Sequence, residues 1–434
     1  MLQTVIDLIE THLSQLPDSR KASPNLKYQV RDAALSAFAV FVTQSPSFLA
    51  HQRDMERLKG RNNAQSLFQV EHIPSDNQIR NILDSIPASQ LSELFWQLFA
   101  QIEASGLLQT HVGLENHLLC ALDGVYYFAS EQIHCVNCTH MAHEGRTRYL
   151  HSLIAPVLVA PGVSHVFSLA PEFIQPQDGH DKQDCEQAAV QRWLAQQAQH
   201  LPLVRTTFLA DDLHCKQPFC ESLLALGSSF ILVCLPASHE TLYREIDLLA
   251  QANLLETHQE RHWNGRFHEL RRYRFTNGVP LRAGGDALLV NWCEVTILNE
   301  PTGEQLYTNA FATNHRLTNH TVADVVRCGR ARWKTENENH NTLKNRGYHL
   351  EHNFGHGKQH LSSLLVALNL LAFLLHTLLW LTEPAAQAIR EELGNLQTFW
   401  TDVRTLTRYF YYPSWSALFT FMATQLELNP PPPN

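Results

Sequence analysis

Arg330-Ala331-Arg332-Trp333-Lys334-Thr335-Glu336-Asn337-Glu338-Asn339-His340-Asn341-Thr342-Leu343-Lys344-Asn345-Arg346-Gly347 reads as one polar helix. The spacing predicts that it opens after Gly329 and closes at Gly347, and no proline interrupts it. Arg332, Glu336, His340 and Leu343 or Lys344 recur at helical spacing and so share a face. An acid held between cations on a rigid helix suits a metal ligand beside a phosphate-binding surface. The plainer alternative is a solvated helix laced with ion pairs. What favours the first reading lies upstream, where Asp123 and Asp211 each end an apolar run.

Those runs read as strands. Leu118-Leu119-Cys120-Ala121-Leu122 ends at Asp123-Gly124, and Val125 to Ala129 resumes as an apolar, aromatic strand, which predicts a hairpin. Tyr149 to Val159 reads as a third strand and Asp181 to Ala198 as a helix. Val204 to Ala210 is a fourth strand running into Asp211-Asp212, Pro218 to Leu226 a helix and Phe230 to Leu235 a fifth strand. Three antiparallel strands, a helix and a strand–helix–strand unit is the order of an RNase H-like core, within a mixed α/β (α+β) fold. Each aspartate then stands at a strand end, where an α/β sheet presents its ligands.

Outward from this core the chain divides further. Residues 1–112 read as an all-helical N-terminal domain for DNA binding or dimerisation, with Leu2 to Leu13 and Tyr28 to Phe41 at helical apolar spacing. Ser75 and Gln78 stand at capping-box spacing before another helix, and Ala88 to Ile102 follows as a further one. The core occupies 113–236 and resumes over 327–381. Between these parts, 237–326 opens with a helix at Leu242–Leu254 and continues as a β-rich insertion: His268 to Phe275, Ala287 to Leu298, Gln305 to Ala312. Arg261, Arg266, Arg271, Arg272, Arg274 and Arg282 fall in 22 residues of it, which favours a phosphate-contacting surface over a merely solvated one. Residues 382–434 read as C-terminal helices ending in the Pro430–Pro433 run, a disordered tail.

Composition narrows the class. A hydrophobic fraction of 44% and a charged fraction of 17% are those of a globular protein. The formal net charge of −9 argues against a protein basic all over, yet leaves nucleic-acid binding open, because the placement of the cations decides it. Nine cysteines without a leading signal segment point to a reducing cytoplasm. Leu361 to Leu381 is long enough to cross a bilayer, but Asn369 and His376 lie within it and no aromatic belt flanks both ends. It reads as a buried core helix, and no membrane partner is expected.

Asp123, Asp211 and Glu336 lie 88 and 125 residues apart, a spacing suited to convergence in a fold. Three carboxylates suit a pair of hard divalent ions about 4 Å apart, two Mg²⁺ or Mn²⁺. One ion activates a water or a 3′-hydroxyl, and the other stabilises the leaving oxygen of a phosphodiester displacement.

Asp123-Gly124-Val125-Tyr126-Tyr127-Phe128, Ala210-Asp211-Asp212-Leu213 and Arg332-Trp333-Lys334-Thr335-Glu336 resemble the three catalytic motifs of bacterial insertion-sequence DDE transposases. The subgroup resembled carries a β insertion before the glutamate and a Tyr-Arg-Glu-Lys signature around it. The resemblance covers roughly 116–380, and Ile73 to Arg80 is similar to that family's helical N-terminal domain. It implies an RNase H-like, Mg²⁺-dependent enzyme, bacterial and cytoplasmic. Such enzymes bind double-stranded DNA at transposon ends and target as homodimers, and cut and join it.

By that resemblance Asp123, Asp211 and Glu336 are catalytic and metal-binding, with Asp212 as the alternative to Asp211. Arg332 and Lys344 then contact DNA, as Arg346 and the insertion's clustered Arg271, Arg272 and Arg274 are expected to from their charge, and in that family a tryptophan of the insertion, here Trp292 or Trp263, stacks on a flipped base unless it belongs to the core. The sequence departs from the signature twice: the tyrosine position holds Gly329, and the lysine position holds Leu343, with Lys344 next to it.

Cys135-Val136-Asn137-Cys138-Thr139-His140-Met141-Ala142-His143 has a spacing that suits zinc bound by Cys135, Cys138, His140 and His143, against unliganded thiols on a strand and loop. Two other functional classes stay open: an RNase H-like nuclease or domesticated DNA-binding protein, and a zinc hydrolase built on this His/Cys cluster.

Overall fold

The computed structural model describes residues 2–21, 26–143, 145–176 and 184–428. The described strands are β1 (Leu118–Ala121), β2 (Gly124–Ser130), β3 (Thr139–His143), β4 (Arg146–Ile154), β5 (Val157–Val159), β6 (Phe167–Ser168) and β7 (Glu172–Ile174). They continue as β8 (Thr206–Ala210), β9 (Ser229–Val233), β10 (Glu256–Trp263), β11 (His268–Pro280), β12 (Leu289–Asn299) and β13 (Gln305–Thr313). The helices before the sheet are α1 (Leu2–Ser14), α2 (Val30–Val42), α3 (Phe48–Met55), α4 (Leu58–Phe68), α5 (Asp76–Leu83) and α6 (Ser92–Ala104). Between strands lie α7 (Glu186–Gln196), α8 (Gln217–Ala225) and α9 (Glu240–Gln251). After β13 come α10 (Val322–Arg330), α11 (Asn341–Asn345), α12 (Leu361–Thr382), α13 (Pro384–Leu393), α14 (Leu396–Tyr409) and α15 (Trp415–Gln425). The protein is thus mixed α/β. The start of the helix read at Asp181 and the Pro430–Pro433 tail lie outside the described residues.

Among the described residues, the main sheet has nine strands in the order β10-β11-β12-β13-β9-β8-β1-β5-β6. Its centre is parallel: β1 pairs with β8 and β8 with β9. Those strands carry the apolar runs Leu118–Ala121, Thr206–Ala210 and Phe230–Val233, buried on both faces as parallel strands must be. On one side β5 and β6 add antiparallel strands; on the other, β13 pairs antiparallel with β9. The insertion is therefore continuous with the main sheet, as an antiparallel meander β10–β13. One of its strands, Glu256–Trp263, carries Glu256, His258, Glu260 and His262 and escaped the sequence reading because it lacks an apolar alternation.

The expected hairpin at Asp123-Gly124 is not a hairpin. β1 belongs to the large sheet, while β2 crosses into a smaller one with β4, β3 and β7. The chain bends at Asp123 without reversing, and β4–β5 bends alongside it, with the Ala155 N–H donating to the Asp123 carbonyl at 3.0 Å. Gly124 lets the Glu186 carboxylate at the start of α7 lie close to the bend; a Cβ there would push that side chain aside.

α12 is the buried core helix anticipated, and its buried His376 and Asn369 side chains bond across the core. The His376 Nε2–H donates to the Val42 carbonyl at 2.9 Å, and Nδ1 accepts from the Tyr348 hydroxyl at 2.7 Å. Burial depresses the His376 pKa to about 3, so the ring is neutral, as this tautomer needs. Asn369 Nδ2 donates to the Tyr348 carbonyl at 2.8 Å. α12 packs against α1, α2 and α5, so the N-terminal helices and the last third of the chain share one core. The C-terminal helices close on the same body: Asn63 Nδ2 donates to the carbonyls of Thr407 and Phe410, and Arg404 to those of Thr43 and Gln44.

Asp84, just past α5, makes the other tie. Its carboxylate accepts from the backbone N–H of Lys358, Gln359 and Leu361 at 2.9, 3.0 and 3.1 Å, thereby capping α12 from a different part of the chain.

Candidate active site

The register of the central strands positions the two aspartates. Cys120 stands opposite Phe208 and Ala121 opposite Leu209 in a parallel pair, and the Leu122 N–H donates to the Leu209 carbonyl. Two residues further, Asp123 and Asp211 leave the ends of adjacent strands, which lie about 4.8 Å apart. Asp211 Oδ1 accepts the local N–H of Leu213, at 3.0 Å. Asp212 is engaged elsewhere: its Oδ1 accepts from the Leu235 N–H at 2.7 Å and lies 3.3 Å from His239 Nε2. Asp211 is the aspartate whose charge reaches Asp123.

The third acid comes from the helical segment, which begins earlier than its sequence suggests. Gly329 does not open a helix; it lies inside α10, which begins at Val322. A Cβ at this position would come within 2.7 Å of the Phe311 ring and 2.9 Å of Ile231. The glycine is there for close packing on β13 and β9, and no larger residue, tyrosine included, fits that space.

Beyond Arg330 the chain turns tightly and then widens into π-type turns over Thr335–His340 before α11. Such bulges redirect side chains and recur at functional sites. Arg332 Nη2 donates to Glu336 Oε1 at 2.9 Å, and its Nη1 lies 3.8 Å from Asp123 Oδ2. His340 Nδ1 is also 3.8 Å from that oxygen. Arg332, Glu336 and His340 thus face Asp123, while Glu338 pairs with Lys334 on the other side at 3.8 Å.

The electrostatics are those of crowded acids. Asp123 is raised from 3.8 to about 7, first by burial, then against the opposing pull of Arg332, by the charges of Glu186, Glu336 and Asp211. Burial lowers His340 to about 4, with Lys344 and Arg332 adding to it, so His340 is neutral near pH 7. Arg332 Nε, His340 Nε2, Thr335 Oγ1 and both amide atoms of Asn339 are buried with no hydrogen-bond partner. Clustered orphans of this kind mark a place where a ligand or solvent belongs.

Glu186 was not singled out by the sequence. It sits at the first turn of α7, against Gly124, and His214 Nε2 lies 3.1 Å from its Oε1. No motif spacing distinguishes it; the one signal is an acid at a helix start following Cys185, near the end of a long connection.

The expected DNA contacts divide. Lys344 stays on the Asp123 side, where its charge acts on His340, and its Nζ pairs with Glu351 at 2.7 Å. Leu343, at the signature's lysine position, is fully buried. Arg346 faces away from the acids, into a cavity it lines with Glu338, Thr342 and Arg390.

Strand alternation splits the three insertion arginines. Arg271 shares the inward face of Tyr273 and pairs with Glu269 at 3.0 Å; Arg272 and Arg274 are exposed on the opposite face, Arg274 paired with Glu294 at 2.7 Å. Trp292 is corrected from a base-stacking to a core residue: it is 0% exposed and packs edge-on against Tyr243. Trp263, at 54% exposure, is the tryptophan of the insertion that solvent reaches.

For the cysteine motif, His140 stands exposed on β3 opposite Tyr149, and the His143 side chain lies outside the described residues. The imidazoles that do meet Cys135 and Cys138 are those of His151 and His356.

No protein-family model matches the chain, and no curated protein matches it.

Proposed function

We propose that this chain is a DDE-type DNA transposase with an RNase H-like core. On this reading it binds the inverted repeats of its own insertion sequence as a dimer and cuts and joins DNA strands in a metal-dependent reaction. The observation that carries the reading is that Asp123 and Asp211 leave the ends of adjacent parallel strands while Arg332 reaches both Asp123 and Glu336. Two parallel strands in register deliver the aspartates, and a bulged helix turns the glutamate toward them. The strand order β6-β5-β1-β8-β9, three antiparallel and two more parallel to the first, supports the RNase H-like assignment.

Two Mg²⁺ or Mn²⁺ ions fit the donor set. Asp123, Asp211, Glu336 and Glu186 supply oxygen ligands, and Asp123 is held above the usual carboxylate range first by its burial and then by the charges of Glu186, Glu336 and Asp211. Asp123, Asp211 and Glu336 would hold the ions, which supply Lewis acidity to an attacking hydroxyl and a leaving oxygen. Arg332 holds Asp123 and Glu336 together across their mutual repulsion and offers a charge to a phosphate beside them. His340, buried and neutral, shields one side of Asp123 from water without adding charge.

The test is a cleavage assay on DNA carrying the element's ends, with Mg²⁺ supplied. Glu336→Gln should retain folding and DNA binding and lose cleavage, as should Asp123→Asn and Asp211→Asn, while Glu338→Gln keeps most activity. Cleavage surviving Glu336→Gln but lost in Glu338→Gln would reject the assignment of the helix face. A protein that binds the ends but never cleaves them in any divalent ion would instead be a DNA-binding protein.

A further inference from the structure

Cys135 and Cys138 lie in the loop between β2 and β3, His151 on β4, and His356 in the segment between α11 and α12. Nothing in the proposed cleavage chemistry uses them. Their ligand atoms all lie within 4.8 Å of one another. The two sulfurs are 3.9 Å apart; His151 Nε2 is 3.5 Å from Cys135 Sγ and 3.4 Å from Cys138 Sγ; His356 Nε2 is 3.7 Å from Cys138 Sγ.

A tetrahedral zinc ion, about 2.3 Å from sulfur and about 2.0–2.1 Å from nitrogen, sets two sulfurs about 3.8 Å apart and a sulfur and nitrogen about 3.6 Å apart. These four separations fall within about 0.2 Å of those values. We propose that Cys135, Cys138, His151 and His356 bind one structural zinc ion, which pins the β2–β3 loop to the chain entering α12.

The surroundings are those of a built site. The Cys135 N–H points at Cys138 Sγ at 3.4 Å, as suits a thiolate. The imidazoles are held in an aromatic box: Tyr127 stacks on His151 with centroids 5.5 Å apart, and Phe128 lies 4.5 Å from His356. Cys138, His151 and His356 are buried, so with four protein ligands no coordination position is left open for substrate. That makes the ion a brace and removes the motive for a zinc hydrolase.

What it braces matters. The clamped segment begins ten residues after Arg346 and ends at the Asp84 cap of α12, and the Asn137 amide donates to the Gln359 carbonyl beside it. The metal would close a loop of more than 200 residues, from Cys138 to His356, separated by 218 positions in sequence.

The experiment measures metal in the full chain purified without chelator. About one zinc per chain is expected, falling below about 0.1 in His356→Ala and retained in His140→Ala. Cobalt exchange should give the intense visible bands of a tetrahedral site with two thiolates. Because loss of the ligand can unfold the chain, His356→Cys serves as the second variant. It should keep the metal and shift the cobalt bands as a third sulfur enters. Cys215, Cys234 and His239 form a second buried group with three ligand atoms, so Cys215→Ser is run alongside. Zinc lost in Cys215→Ser but kept in His356→Ala would overturn the proposal, as would a folded, metal-free chain that takes up no cobalt.

Discussion

Replacing Asp123 by Asn should stabilise the metal-free protein, although it removes a residue placed at the centre of the candidate active site. The Asp123 carboxyl titrates at about 7 in the folded chain against 3.8 in its ordinary state. Between about pH 4 and pH 7 the folded state therefore holds a proton that the unfolded state has released, and stability falls as pH rises through that window. About three units at 1.36 kcal/mol each correspond to about 4 kcal/mol once the pH exceeds 7. Relaxation and water entry around a side chain that retains 16% exposure reduce this to roughly 2–4 kcal/mol. Asparagine keeps the shape and carries no charge. In urea titrations without added Mg²⁺, Asp123→Asn should match the wild type near pH 4 and exceed it by roughly 2–4 kcal/mol at pH 8. Added Mg²⁺ at ten times its Kd should return about 1.4 kcal/mol to the wild type and nothing comparable to the variant. Equal stabilities at pH 8, or a wild type that gains stability relative to the variant as pH rises from 4 to 7, would refute the burial of Asp123 among neighbouring acids.

Three other perturbations follow. Gly329→Ala pushes a methyl group against Phe311 and Ile231, at separations of 2.7 and 2.9 Å, and should cost about 1–3 kcal/mol in chemical denaturation; a neutral effect would mean that α10 can lift off the sheet freely. Asp84→Ala strips three N–H groups at the start of α12 of their acceptor and should cost about 1–3 kcal/mol, with faster proteolysis around residues 354–360; an unchanged cleavage pattern would count against the tie. Arg272→Ala with Arg274→Ala should weaken binding to DNA ends and reduce the log–log salt slope by up to about 2, whereas Arg271→Ala alone should leave the slope nearly unchanged; the opposite ranking would put DNA on the inward face of the insertion.

Much of this molecule is legible because a few signals were strong. Apolar runs ending in acids located β1 and β8, and helical spacing put Arg332, Glu336 and His340 on one face. Ser75 and Gln78 form the anticipated capping contact, the Ser75 N–H donating to Gln78 Oε1 at 3.1 Å. The misreadings share a physical origin. An Asp-Gly pair carries the local chemistry of a turn, yet whether the chain reverses or bends depends on which strands are available to pair, a non-local matter. Gly329 looks like a helix boundary because glycine is a poor helix former, but here tertiary packing demands the absence of a side chain. Glu186, His151 and His356 carry no motif: nearness in space alone recruits them.

The burial of α12 has a consequence for how the chain comes into being. α2 leaves the ribosome well before the helix that covers it: the hydrogen bond from His376 to Val42 joins positions 334 residues apart. At about 5–20 residues per second, the apolar face of α2 waits roughly 15–70 s for its partner. Throughout that interval Phe38, Phe41 and their neighbours lack α12, the element that covers most of α2 besides the other N-terminal helices. A chain released before residue 361 would keep Asp123, Asp211 and Glu336 and still lack α12 and the Asp84-capped turn that anchors the glutamate's segment. Products terminated before α12 should therefore accumulate as chaperone-bound or aggregated material, and activity should emerge only after α12 has been made.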